Sequence, residues 1–157
     1  MAIGLVHLHN ILRWIILILL LLSILNSYSG WRNKKTFKPG DRKLWLFTLI
    51  SAHIALLVGV YQWLAGRYGI FTAQLPEWTI VMKDKFFRFY WVEHPVGMIL
   101  SILLITLGYG MAKKQVSDTT RFRKAFWYYF IALIIILATI PWPGREIIGR
   151  PLFPGMQ

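Results

Sequence analysis

The side chains in this chain that are best able to do chemistry are ionisable groups inside long apolar runs. There are six of them, and they include all four histidines: His7, His9, Arg13, His53, Glu93 and His94. An ionisable group inside a membrane span costs roughly 2.5–3.5 kcal/mol on insertion scales, so each one needs a partner or a function. Imidazoles bind metals and move protons, whereas an arginine requires an anion. The absence of cysteine excludes disulfides, thiolate metal sites and iron–sulfur clusters.

The apolar runs that carry these residues are long enough to be membrane spans. Of the 157 residues 57% are hydrophobic and 15% are charged, whereas a soluble domain averages about 25% charged residues. A helix needs about 20 apolar residues to cross the hydrocarbon layer. We therefore predict a single domain over residues 1–157, an all-α integral membrane protein built as an up-down-up-down four-helix bundle. The predicted spans are 3–28, 44–65, 89–111 and 125–142.

The net charge of +12 lies mainly in the gaps between the spans. Eleven basic residues fall between the first two or the last two spans, and six fall in the remaining loop and the tail. Cytoplasmic loops carry the excess of Lys and Arg, so both termini are predicted to lie outside. The membrane lipid is then the partner of this charge, and a nucleic-acid role is disfavoured.

Two of the predicted spans carry a stripe of polar and small residues at helical spacing, and each stripe is expected to face the bundle interior. The first span has the stripe His9, Arg13, Ile16, Leu20, Ser23 and Ser27. The third span has the stripe His94, Gly97, Ser101, Leu104, Gly108 and Ala112. His7 lies about 200° around the helix from His9, so we expect it at the outer headgroups.

His9 and His94 are the predicted ligands of a haem iron. Both lie roughly 9 Å inside the outer ends of their spans at ~1.5 Å per residue. The first and third helices of the bundle are diagonal neighbours, and two axial imidazoles on one iron suit such a pair. His53 is the alternative ligand together with His94. Other roles are also open for His53: a group beside the ligands, a quinone-binding residue, a step in a proton path, or a core histidine that is hydrogen-bonded to a nearby backbone.

Arg13 and Glu93 leave two alternatives. They form a cross-helix ion pair, or Arg13 holds a haem propionate; truncating one partner would in either case leave a buried charge unpaired. Pro95 lies near the start of the third helix if that helix begins around Glu93. If the helix begins earlier, Pro95 kinks it.

Several segments resemble a family of small bacterial four-span membrane proteins named cytochrome b. They are GLVHLHNILRW (4–14), GDRKLWLFTLISAHIALLVG (40–59), FRFYWVEHPVGMIL (87–100), the basic stretch 121–124 and IPWP (140–143). The start of the third span, Glu93-His94, is similar to haem-ligating helices of haem A synthase. The string from His94 to Met98 is similar to a segment of ascorbate-reducible transmembrane b-type cytochromes. The resemblance implies b-type haem and the bacterial cytoplasmic membrane.

The expected function is that of a membrane b-type cytochrome with one haem near the outer face. It would carry electrons between quinol or an exported redox protein and a component of a respiratory chain. In an enzymatic variant of this hypothesis, His53 or Glu93 moves protons. The alternative is a cofactor-free accessory subunit that packs in a larger respiratory or transport complex, where the polar residues satisfy one another; a homodimer is also left open.

Overall fold

The computed structural model describes residues 2–73 and 78–153, and helix is the only regular structure in these two ranges. The elements are α1 (Ala2–Arg32), α2 (Pro39–Ala65), α3 (Trp78–Lys83), α4 (Lys85–Arg88), a π-helical turn (Phe89–Glu93), α5 (His94–Gly110), a 3₁₀ turn (Met111–Lys113) and α6 (Asp118–Thr139). Four stretches are long and apolar enough to cross a membrane, and the third of them runs without a break from Lys85 to Lys113. The prediction of an all-α, four-span membrane protein is confirmed.

Helices α2 and α6, the second and fourth spans, begin earlier than the hydropathy pattern predicts, because local hydrogen bonds satisfy backbone N–H groups at their first turns. Pro39 stands in the first turn of α2, where a missing N–H is tolerated. The carboxylate of Asp41 accepts the backbone N–H of Lys38 at 2.7 Å. At the start of α6, the hydroxyl of Ser117 accepts the backbone N–H of Thr120. Charged residues are thereby included in the ends of both helices.

The four spans form a bundle in which each packs against two neighbours. Helix α1 contacts α2 and α6, and α5 contacts the same two helices. Helices α1 and α5 therefore lie diagonally across the bundle, as the up-down-up-down order predicts. Glycines allow close contacts at two of these interfaces, where Gly30 lies against the ring of Phe122 and Gly108 against that of Tyr129.

The predicted interior stripes are buried or half-buried along their whole length. In α1 the side chains of Leu20, Ser23 and Ser27 are 0% exposed, and Gly97, Ser101 and Gly108 are buried in α5. The outer surface is apolar, with large exposed side chains on every span such as Leu25, Leu57, Leu103 and Ile134. A surface of this kind is solvated by lipid, so the chain is a multi-pass membrane protein.

The two ends of the bundle differ in their connections. The end with the short loops 33–38 and 114–117 is called the basic end, and the opposite end, which holds the start of α1, is called the terminal end. In the loop between the second and third spans, the short helix α3 precedes α4, and residues 74–77 lie outside the described ranges. After α6, residues 140–153 turn back across the terminal end, and we call them the C-terminal segment.

Candidate histidine site

His94 follows directly on the π-helical turn Phe89–Glu93 at the terminal end of the third span. Pro95 has no N–H to donate to the carbonyl of Trp91 four residues earlier. The indole N–H of Trp63 on α2 donates to that carbonyl at 3.1 Å. The helix begins before Pro95, and a π turn, a feature frequent at functional sites, stands immediately before His94. Trp63 therefore helps to hold the segment that presents His94.

The ring of His94 is oriented by α6. Its Nδ1 lies 2.8 Å from the carbonyl oxygen of Thr139, and because a carbonyl only accepts, Nδ1 carries the proton and donates. Gly97, one turn after His94, lies against the side chain of Thr139 with no room for a Cβ atom. This close approach of α5 to α6 makes the bond possible. Nε2 of His94 is consequently the nitrogen with a free lone pair.

His9 approaches the same region from α1. Its ring lies beside the backbone of Ala55 and next to Gly59 on α2, where a Cβ atom would come within 3.3 Å of the His9 Cε1 atom. The Nδ1 atom of His9 is buried and has no hydrogen-bond partner. A buried imidazole nitrogen without a partner is unusual in native structures, and it marks His9 as a candidate ligand.

His9 and His94 meet across the diagonal of the bundle. Their ring centroids lie 6.3 Å apart, and the ring planes are inclined by 72°. The sequence predicted these two residues at one depth on diagonal helices, and they do lie at one level. The ring of Phe89 packs on the other side of His94 at a centroid distance of 5.9 Å. The site is therefore a pair of imidazoles with aromatic surroundings.

The other two histidines lie apart from this pair. His53 is exposed on the outer surface of α2, and its Nδ1–H donates to the carbonyl of Leu49 in its own helix at 2.8 Å. The alternative in which His53 ligates together with His94 does not agree with this outward position. A bond to a nearby backbone is among the alternatives that the sequence leaves open, but the core position expected with it is wrong, because His53 is exposed. His7 is half-buried, and its Nδ1 atom also has no hydrogen-bond partner.

The alternative in which Arg13 and Glu93 form an ion pair is wrong. Glu93 accepts from the Nε of Arg88 at 2.9 Å, and both of these side chains are exposed. Arg13 donates from Nη2 to the carbonyl of Leu152 at 2.5 Å, and its Nε is buried with no partner. The π turn places Glu93 on the exposed side of the helix, where the neighbouring Arg88 can reach it. Arg13 thus remains a cation with no carboxylate partner in the described part of the chain.

The C-terminal segment closes the terminal end over the histidines. The hydroxyl of Tyr90 donates to the carbonyl of Ile148 at 2.6 Å, so the segment is tied to the third span. At its far end the carbonyl of Leu152 accepts from the indole of Trp14 at 2.9 Å as well as from Arg13. Phe153 stacks on Trp14 with ring centroids 5.4 Å apart. The charge pattern of the sequence predicts this tail outside the membrane, but nothing in the sequence predicts its contacts.

The electrostatic environment of the site is positive. Arg145 stands over the ring of Phe89 at 4.9 Å, and Arg150 lies over the ring of Tyr90 at 5.2 Å. Within residues 2–73 and 78–153 the ion pairs are Arg88–Glu93 and Arg121–Asp118. Arg145, Arg150 and Arg13 therefore have no acidic partner in these ranges. The same ranges hold no group of three or more His, Asp or Glu suited to a metal ion. The groups of this site that could bind a ligand are therefore the two imidazoles and the nearby guanidinium of Arg13.

The fold and site together define the class of protein as a four-helix multi-pass membrane protein with a diagonal histidine pair. No protein-family model, curated protein or solved structure matches the chain.

Proposed function

We propose that this protein is a b-type cytochrome of the bacterial cytoplasmic membrane, in which His9 and His94 would hold the iron of one haem. The observation that carries the proposal is the 6.3 Å separation of the two ring centroids across the bundle. Two imidazoles that bind one metal between them would lie at about this separation, because a metal–nitrogen bond is about 2 Å long.

The hydrogen bond of His94 supports the same assignment. Metal-ligating histidines commonly donate their other ring N–H to a backbone carbonyl, which fixes the tautomer and the ring orientation. The bond from His94 to the carbonyl of Thr139 has this form. His9 fits as the second ligand because it is also an imidazole and its Nδ1 is not engaged elsewhere.

Arg13 supports the proposal through its charge. Arg13 is half-buried and its guanidinium has only a carbonyl acceptor, so an anion beside it would be favourable. Glu93 is bonded to Arg88, so it does not supply this anion. A haem propionate would be such an anion, and the second alternative from the sequence is therefore the one that we propose. When bound, haem supplies one-electron chemistry, while the protein provides ligands, a countercharge and a low-dielectric enclosure.

The electron partners follow from where the site lies. The histidine pair is at the terminal end, which the distribution of basic residues predicts to be the outer face of the membrane, with both termini outside. A carrier at this depth would exchange electrons with quinol in the membrane or with an exported redox protein, and would pass them to a respiratory-chain component.

The visible spectrum of the protein purified after expression with ample haem tests the proposal. We expect a Soret band and a reducible α-band of b type, which a pyridine haemochrome assay identifies. His9→Ala and His94→Ala should each remove the low-spin signal, whereas His53→Ala should keep it because His53 is exposed. A haem-free wild-type protein, or a spectrum that survives loss of both His9 and His94, would overturn the assignment.

The second candidate is an accessory subunit without a cofactor. It is favoured by one observation: His94 and Arg13 already donate to carbonyls of this chain, those of Thr139 and Leu152. In such a subunit these bonds would serve to hold the bundle and the C-terminal segment together. The same spectrum separates the two candidates, since only the cytochrome retains stoichiometric haem.

A further inference from the structure

Three buried polar side chains in the basic half of the bundle have no hydrogen-bond partner. They are Ser27 on α1, Trp45 on α2 and Tyr129 on α6, and we call them the polar cluster. All three are 0% exposed. The Oγ of Ser27, the Nε1 of Trp45 and the hydroxyl of Tyr129 are each buried and unpartnered. The large majority of buried side-chain polar atoms in native proteins bond to protein or to ordered water.

The contacts around these residues place them in one layer. The rings of Trp45 and Tyr129 lie 5.7 Å apart, and that of Phe122 lies 5.8 Å from Trp45. Phe122 in turn packs on Gly30, three residues after Ser27 on the buried stripe of α1. Three helices thus bring one unpartnered group each to the same level.

One helical turn from the polar cluster, on the side of the terminal end, two hydroxyls pair between α1 and α2. The hydroxyls of Ser23 and Thr48 lie 2.8 Å apart. Ser23 is four residues before Ser27, and Thr48 is three residues after Trp45, so the pair adjoins the polar cluster. This pair shows what a satisfied buried hydroxyl looks like in this bundle.

The chemistry of the polar cluster selects the ligand. The indole N–H can only donate, whereas the two hydroxyls both donate and accept. The ligand must therefore accept from Trp45, which excludes a bare cation, and an anion among these side chains would be buried in an apolar interior without a countercharge. None of the three side chains is charged at neutral pH. We propose that the polar cluster is a binding site for ordered water.

The surroundings show from which side water reaches this site. Asp41 lies one turn before Trp45 at the basic end of α2, and it accepts from the side-chain amide of Asn26 at 2.7 Å. Asn26 is the neighbour of Ser27, and its Oδ1 is buried and also unpartnered. Polar groups thus connect the polar cluster to the basic end.

Towards the histidines the interior is apolar. Leu20, Ala52 and Ile105 are each at most 1% exposed, and they lie on the buried faces between the polar cluster and the terminal end. His94 is fourteen residues from Gly108, which packs on Tyr129, so the two sites are about 20 Å apart along the third span. Water therefore enters the bundle from the basic end and stops short of the histidine pair.

Single-oxygen deletions test the water site without reference to haem. Tyr129→Phe and Ser27→Ala are compared in a reversible unfolding titration in mixed detergent micelles, with Ser23→Ala as the reference for a partnered hydroxyl and exposed Tyr28→Phe as the control. We expect both deletions to raise the unfolding constant roughly threefold to tenfold, which is also the effect expected of Ser23→Ala. The double variant should lose less than the product of the two effects, since both hydroxyls hold the same water. An unchanged or lowered unfolding constant in both single variants would overturn the proposal.

A map of the full-length protein at a resolution that shows water is the second measurement, and it does not depend on how the variants fold. We expect ordered water within hydrogen-bond distance of the polar atoms of Ser27, Trp45 and Tyr129. Direct bonds among these three atoms with no water between them would contradict the site.

Discussion

His94 donates its Nδ1–H to the carbonyl oxygen of Thr139 at 2.8 Å, a bond between residues 45 positions apart in the chain. This bond determines which nitrogen of the ring is free, and it depends on how closely α5 approaches α6. The approach is closest at Gly97, which lies against Thr139. The orientation of the histidine pair is thus coupled to one small residue.

Gly97→Ala should therefore disturb the site. The new methyl group would overlap the Thr139 side chain and push the two helices apart, with an expected destabilisation of about 1–3 kcal/mol. Adding Thr139→Ala should recover much of this loss in a double-mutant cycle measured by unfolding in micelles. Gly110→Ala is the matched control, because a Cβ there meets nothing within 4 Å and alanine favours the helix. Equal effects of Gly97→Ala and Gly110→Ala would show that the contact is not tight.

Glu93 should couple to Arg88 and not to Arg13. The Arg88–Glu93 pair is exposed, so Glu93→Gln is expected to change the free energy of unfolding by less than about 1 kcal/mol. Arg13→Met and Glu93→Gln should be additive within about 0.5 kcal/mol, because the two residues share no bond. A coupling well above that value between Arg13 and Glu93 would restore the ion pair that the sequence suggested.

Trp14 should determine how firmly the C-terminal segment is held. Trp14→Ala removes both the hydrogen bond to the carbonyl of Leu152 and the stacking on Phe153, whereas Trp14→Phe removes the hydrogen bond alone. Trypsin cleavage after Arg145 measures the release, since Arg150 is followed by proline. We expect the rate to rise most for Trp14→Ala, less for Trp14→Phe, and not at all for the exposed control Trp127→Ala. Equal rates in all four proteins would indicate that the segment is held elsewhere.

The orientation of the bundle can be tested with single cysteines, because the chain has none of its own. Gly144 lies in the C-terminal segment with open space around it, and Gln115 is exposed in the loop before α6. In intact bacterial cells an impermeant thiol reagent should label Gly144→Cys, and it should label Gln115→Cys only after permeabilisation. The reverse pattern would place the histidine pair at the cytoplasmic face.

The sequence by itself determined the number of spans, the inward faces of the first and third, and the common depth of His9 and His94. These features depend on two constants, the helical period and the thickness of the hydrocarbon layer, which hold for any packing of the helices. A polar stripe on an apolar helix has one favourable direction, towards the bundle. This is why Ser23, Ser27 and Ser101 are buried as predicted.

Only the tertiary structure determines the hydrogen-bond partners of the polar side chains and which of these side chains are exposed. Arg13 donates a hydrogen bond to the carbonyl of Leu152, 139 positions away in the chain. Because every residue has a backbone carbonyl, the sequence does not indicate which of them will be the acceptor. His53 points outward because the buried face of α2 is marked by Trp45, Thr48 and small residues, while the helix is apolar nearly all round. Periodicity cannot assign a face to such a helix, and only packing against its neighbours does so.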